Sequence, residues 1–352
     1  MRRAVLAALI GVLMSVPSAA KDASGKAEPA SKSVSAAPPS MPRREPVLDQ
    51  WHSEIARDHP LVGMVWSAVN KKLVGVAVLQ ASLGAADFVL LGEVHDNPDH
   101  HRLQAFAIRT IAVRRKLPVV MEMLSADQSD GLAQFYSGGE GASGAMNPDR
   151  LFDKVDWDKS GWPARDVYRP LVAEIIASGM QIHIGSDGRK SVRAIGRVGF
   201  DDLSVGRLKR LGLDAALSED LLLALKRELI SSHCGLVGKN AILAMATVQR
   251  YRDGYMAAAL VRQGKKEGAV LIAGNGHVRK DRGVPWYLDR IASDRTSVVV
   301  MVVEVEQDEN DPGSYMPKSP DGEAVADYLV FTPRARRADP CEQMRKIMEQ
   351  GK

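Results

Sequence analysis

Short apolar runs that alternate with helical stretches constrain this 352-residue chain more than any other feature. Residues 87–91 form one such run, which ends at Gly92 and leads through a polar loop to Pro98, a residue suited to the first turn of a helix. That helix is predicted over about 98–116, stopping before Pro118, and 119–122 supplies the next buried strand. Helices are also predicted around 126–135 and 165–178, strands over 181–184, 270–273 and 297–304, and an edge strand over 327–331. Alternation of this kind predicts an α/β fold, with a mostly parallel central sheet flanked by helices. Two stretches interrupt it. Residues 137–162, rich in Gly and Asp, read as an irregular excursion, and 203–263 read as a smaller helical subdomain packed over one end of the sheet.

The termini read differently from the body. Met1-Arg2-Arg3, an apolar run over 4–16 and Pro17-Ser18-Ala19-Ala20 make a secretory signal peptide over 1–20, with cleavage expected after Ala20. The run is too short to span a bilayer, and no other stretch reaches the roughly 18 apolar residues that a span needs. No cysteine follows the expected cleavage point, so no lipobox is present. A periplasmic or secreted protein without a transmembrane span in its mature form is expected. Residues 21–46, rich in Ala, Ser, Pro and Lys, read as a disordered tether, 47–332 as the folded domain and 333–352 as a basic C-terminal tail.

The formal charge of +4 belongs to those ends, because 47–332 holds 34 Lys and Arg against 37 Asp and Glu. A nucleic-acid-binding face therefore has no support, and only 18 aromatic residues are present to stack on bases. The basic ends suit contact with anionic envelope surfaces instead. The two cysteines, Cys234 and Cys341, are too few for a disulfide scaffold and lack the spacing of a structural zinc site. The core is expected to hold by packing alone, with Cys234 a buried free thiol.

In an open parallel sheet, ligands bind at the carboxyl ends of the strands. Two Gly-x-x-His motifs fall there, Gly92-Glu93-Val94-His95 and Gly274-Asn275-Gly276-His277, and Glu122 ends the second predicted strand. A glycine in that position lets the backbone turn sharply and aim the histidine back over the strand end. Glu93, His95, Glu122 and His277 could converge to hold a divalent metal such as Mn or Zn, or to act as acid and base around a water. They could equally form a buried network that fixes the loops. His100 and His101 point about 100° apart on their helix, so at most one should enter the site; His101 with Gln104 is the preferred inward pair.

His233-Cys234-Gly235 reads as a helix C-terminus capped by Gly235. Arg279 and Arg282 could pair with a carboxylate- or phosphate-bearing ligand, or form a solvated face. Tyr251 and Tyr255, one helical turn apart, could ligate ferric haem as tyrosinate or simply pack.

Five blocks together resemble one known family: 91–98 with His100-His101, Glu122-Met123, 232–235, 249–253 with Met256-Ala257, and 273–285. In order and content they are similar to the ChaN-like haem-binding uptake proteins of the Tiki superfamily. The resemblance covers roughly 65–305. It implies an exported protein of the bacterial envelope associated with haem or iron uptake, and the first expectation is a non-enzymatic haem-binding protein whose haem is shared by a homodimer. The resemblance does not name the iron ligand in this chain; tyrosine is the natural ligand for ferric iron, Tyr136, Tyr168, Tyr251 and Tyr255 are the candidates near the helical segments, and Arg279 or Arg282 would serve the propionates. The wider superfamily includes Tiki metalloproteases and erythromycin esterases. That kinship implies an alternative, a metal-dependent hydrolase working through Glu93, His95, Glu122 and His277.

Overall fold

A computed structural model describes residues 50–137 and 146–350. The expected signal peptide and tether lie outside the described residues. In chain order the elements are β1 (Val65–Ser67), β2 (Lys72–Val74), α1 (Val76–Ala85), β3 (Phe88–Glu93), α2 (Pro98–Ala112) and β4 (Val119–Ser125). Next come α3 (Ser129–Ser137), α4 (Pro148–Lys154), α5 (Arg165–Ala177), β5 (Ile182–Ser186) and α6 (Arg189–Val198). Helices α7 (Val205–Arg210), α8 (Glu219–Ser232) and α9 (Lys239–Gly264) fill the long helical stretch. The chain closes with β6 (Ala269–Gly274), α10 (Val284–Ile291), β7 (Ser297–Glu304), β8 (Tyr328–Thr332) and α11 (Pro340–Gln350).

The eight strands form one sheet in the order β2-β1-β8-β7-β3-β6-β4-β5. Strands β3 to β8 pair in parallel, and the β1/β2 hairpin adds two antiparallel pairings at one side. The α/β architecture with a mostly parallel sheet is therefore present. All six residues of β3 are buried because helices cover both faces. Val89 and Leu91 enter the layer that holds Ile108 of α2 and Leu171 of α5, while Phe88 and Leu90 enter the layer with Ala257 and Leu260 of α9. Alternation across the pleat thus produces two cores from one strand.

Three expectations are corrected. Residues 327–331 do not form an edge strand: β8 lies between β1 and β7, and the edges are β2 and β5. The β1/β2 hairpin that covers it is made of two three-residue strands, too short to show a period. Packing is not the sole restraint, since Cys234 and Cys341 form a disulfide across 107 residues, and neither thiol is free. The C-terminal stretch is also more than a basic tail. Arg334 bridges to Ile55, Arg337 pairs with Asp96 and Glu304, and α11 carries Cys341. Within the stretch read as irregular, α4 forms behind Asn147, whose side chain caps the backbone N–H of Arg150.

Candidate functional site

The strand register brings the acidic residues to one level. Glu93 stands opposite Gly274 across β3/β6, and Met121 stands opposite Ile272 across β4/β6, so Glu122 follows at the same rim. Neither glycine that opens a Gly-x-x-His motif has a positive φ, so the expected sharp turn is not their role. Both permit close approach. A Cβ on Gly92 would lie 2.2 Å from Asn275 Oδ1, and one on Gly274 would lie 2.9 Å from His95 Nε2. The two loops interlock because neither glycine has a side chain.

Glu93 is the hub of the first loop. Its Oε1 accepts from the Tyr168 hydroxyl at 2.7 Å and lies 2.7 Å from His95 Nδ1. Its Oε2 accepts from Gln104 Nε2 at 2.8 Å, with His101 Nδ1 at 3.3 Å. Since Gln104 donates through its nitrogen, its oxygen must accept from His101 Nδ1, and His101 Nε2 faces the carbonyl of His95. Both ring nitrogens of His101 therefore donate, which makes it an imidazolium. Burial alone would lower the His101 pKa, but the Glu93 charge and hydrogen bonds raise it. Burial would likewise raise Glu93, yet the charge of His101 and hydrogen bonds from His101 and His95 hold it far below the usual carboxylate range.

His100 takes the opposite state one residue away. Its Nδ1 accepts from the Val94 N–H, leaving Nε2–H to donate to Thr332 Oγ1. Burial and the neighbouring His101 charge lower it to about 3, so it stays neutral. One of the two adjacent histidines enters the acid–base network and the other ties α2 to β8.

A second chain of charges runs beside the first. Glu122 accepts from Arg252 at 2.7 Å and from the Gly274 N–H at 2.8 Å, with His277 Nε2 at 3.2 Å. His277 Nδ1 lies 2.5 Å from Asp253 Oδ1. Burial opposes the charge on His277, but Glu122 and Asp253 outweigh it and raise the pKa to about 9. Burial pushes Asp253 up to about 6, against the pull of His277. At neutral pH the chain is thus carboxylate, imidazolium, carboxylate, guanidinium. His95 links the two chains, with Nε2 4.0 Å from Glu122 Oε2.

The raised pKa of His277 gives a testable slope. Its proton is held more tightly in the fold than in the unfolded chain, so the stabilisation is complete below about pH 6.5 and is lost as pH climbs through about 9. Urea midpoints should fall between about pH 7 and about pH 9.5, and His277→Gln should flatten that fall. A midpoint in the native protein that holds steady across this range would refute the assignment.

These motifs, in this order on this sheet, meet a family model described as haem-binding uptake, Tiki superfamily, ChaN, which matches residues 79–288. The chain belongs to the ChaN family. Its fold is similar to a solved structure of ChaN from Campylobacter jejuni with cofacially bound haem, at 20% identity and a TM-score of 0.59, covering 76% of this chain and 95% of that one. A type III effector, HopBA1, matches at 10% identity and a TM-score of 0.40, over 73% of this chain and 93% of its own. The erythromycin esterase EreC matches at 17% identity and 0.35, over 85% and 87%. No curated protein matches the chain.

In this ChaN-family chain the four tyrosines named above occupy different settings. Tyr168 is fully buried and committed to Glu93, and Tyr136 accepts from the Ile182 N–H. Tyr251 donates to Asp187 and accepts from Arg207, both at 2.5 Å. Tyr255 is half-buried on α9. Burial raises all four hydroxyls above an ordinary phenol, so none is poised to ionise unaided. Arg279 and Arg282 are buried and paired with Asp281 and Glu228.

Glu93, His95, Glu122 and His277 do come together. Among the described residues, however, no group of three or more His, Cys, Asp or Glu is disposed to hold a metal ion. Apart from His95 Nε2, their polar side-chain atoms are engaged with one another and with Tyr168, Gln104, Arg252 and Asp253.

A cleft of about 310 Å³ opens beside this network, with Glu122, Met123, Trp162, Arg189, Arg193 and Arg252 among its walls. His95 is one-third exposed and meets the edge of Trp162, with ring centroids 4.9 Å apart. Arg252, Asp253 and Trp162 are site residues that pattern reading missed. Gln249 and Asp253 share one face of α9 at i and i+4, a detectable spacing. Trp162 gives no signal, because it sits in an irregular loop.

Proposed function

We propose that the protein is an exported haem-binding protein of the bacterial envelope, serving haem or iron uptake, and that the cleft beside His95 holds the porphyrin. Membership of the ChaN family supports haem as the ligand. The observation that carries the location is the partly exposed imidazole of His95, held at Nδ1 by a buried, ionised Glu93. A carboxylate behind the ring fixes the tautomer and leaves Nε2 as the donor atom, the arrangement that favours metal ligation by histidine. The walls fit the rest of the molecule, since Met123, Trp162, Val192 and Val248 offer apolar surface and Arg189 and Arg193 offer charge for propionates. Haem supplies a ferric iron and two carboxylates; the chain orients it and excludes water. Two copies closing over their clefts would cover the open side.

Hemin titration of the purified protein should give a saturable Soret shift, weakened at least tenfold in His95→Ala and retained in Tyr255→Phe. A rise in oligomeric state on hemin addition should accompany it. Absence of a saturable shift in the native protein would overturn the proposal. Loss confined to Tyr255→Phe would move the ligand to α9.

The Glu93–His95 pair also favours a second reading, in which His95 Nε2 takes a proton from water for hydrolysis of an ester or peptide. Burial lowers the His95 pKa, but the hydrogen bond to Glu93 and the Glu122 and Glu93 charges raise it, so turnover should increase towards alkaline pH. An ester panel read against His95→Ala tests this reading directly.

A further inference from the structure

Behind the His277 loop lies a separate cavity of about 410 Å³, walled by α8 on one side and by the segments around Arg279 and Lys318 on the other. Two guanidiniums reach it from the protein interior. The side chains of Arg279 and Arg282 are only 7% and 4% exposed, and both share the single carboxylate of Asp281. Arg279 holds Asp281 through Nε and a terminal nitrogen, at 2.9 and 2.8 Å, and Arg282 reaches it at 2.9 Å. One carboxylate cannot balance two buried cations.

The remaining positive charge is met by Glu228 of α8, whose carboxylate contacts Arg282 and stands 3.8 Å from Arg279. Glu228 differs in kind from Asp281. Its side chain is 44% exposed on a surface helix, so it can swing into water, whereas Asp281 is 6% exposed and fixed. Arg227 and Lys318 stand exposed at the rim of the same cavity, with no ion pair among the described residues. Asp220, also on the wall, is the third carboxylate against four cations.

We infer that this cavity is a second ligand site, for a small anion bearing carboxylate or phosphate groups, and that Glu228 occupies the anion position until the ligand displaces it. Two buried guanidiniums in a fixed fork provide the bidentate recognition that carboxylates and phosphates take, and Arg227 and Lys318 neutralise a further charge as the ligand enters. Exchange of one carboxylate for another keeps the buried pair compensated throughout, which avoids the cost of an uncovered charge. The cavity is distinct from the His95 cleft. It nevertheless touches the same loop, because a Cβ on Gly276 would lie 3.4 Å from Glu228 Oε1.

Calorimetric titration of the full-length protein with inorganic phosphate and, separately, with citrate tests this. One of the two should bind saturably, which also identifies the anion class. Glu228→Gln should bind it at least threefold more tightly, because the internal competitor is gone. The rim double variant Arg227→Ala/Lys318→Ala, which leaves the buried pair intact and should fold, should bind at least fivefold more weakly. Hemin titration of all three proteins should be unchanged, so failure here is separable from failure of the haem assignment. No saturable binding of either anion by native protein and Glu228→Gln overturns the inference. Binding indifferent to both variants overturns it as well.

Discussion

Replacing Glu93 by alanine is expected to destabilise the protein by about 3–5 kcal/mol, among the largest losses available to a single substitution here. Glu93 is fully buried and stands between two histidines, a tyrosine hydroxyl and a glutamine amide. Its removal leaves His101 as a charged ring with no counter-ion in a site without solvent exposure. It also leaves the Tyr168 hydroxyl without its acceptor. His101 would then shed its proton on folding, so the variant should become more stable, relative to itself, as pH rises. Glu93→Gln keeps an acceptor for Tyr168 but still removes the charge, and should lose less. Urea unfolding of the three proteins at neutral pH measures the order. A loss under about 1 kcal/mol for the alanine variant would show that the network is not strongly coupled to the fold.

Loss of the disulfide is expected to come next, at about 2–4 kcal/mol for Cys341→Ser or for full reduction. The crosslink closes a long loop, with a sequence separation of 107 between its cysteines, and most of its effect is to restrict the unfolded chain. Cys234 is held in place independently of that bond. His233 turns its Nδ1 to the Leu229 carbonyl, the Gly235 N–H returns to Ile230, and Gly235 takes a φ of +68°. Reduction should therefore free the C-terminal helix first, while the cap at the end of α8 persists. Hydrogen exchange should show α11 losing protection before β8, and a reduced protein with an unchanged denaturation midpoint would refute the estimate.

The sheet interior was legible because β3, β4, β6 and β7 are covered on both faces and appear as unbroken apolar runs. The same rule hid β8, since a five-residue run carries no mark of which neighbours it will have. Glu93, Glu122, His95 and His277 were legible for a local reason, each lying at or just past the end of such a run. Their partners were not. Asp253 is 24 residues from His277 and reaches it only because α9 packs across the sheet. The Cys234–Cys341 pairing depends on a Cα separation of 5.6 Å that no spacing encodes. The tyrosines show the converse, since their helices were foreseeable and their hydrogen bonds to Asp187, Glu93 and Ile182 were not.

The position of β8 also bears on when the molecule can fold. Val300 to Glu304 of β7 pair with Tyr328 to Thr332, and Tyr328 to Val330 also pair with Val65 to Ser67 from the other end of the domain. The β1/β2 hairpin therefore has no place in the sheet until Tyr328 to Val330 have left the ribosome. Synthesis of nearly the whole chain precedes closure, and sequence-distant pairings of this kind form slowly. One side of β7 therefore stays unpaired until the C-terminal part of the domain has been made.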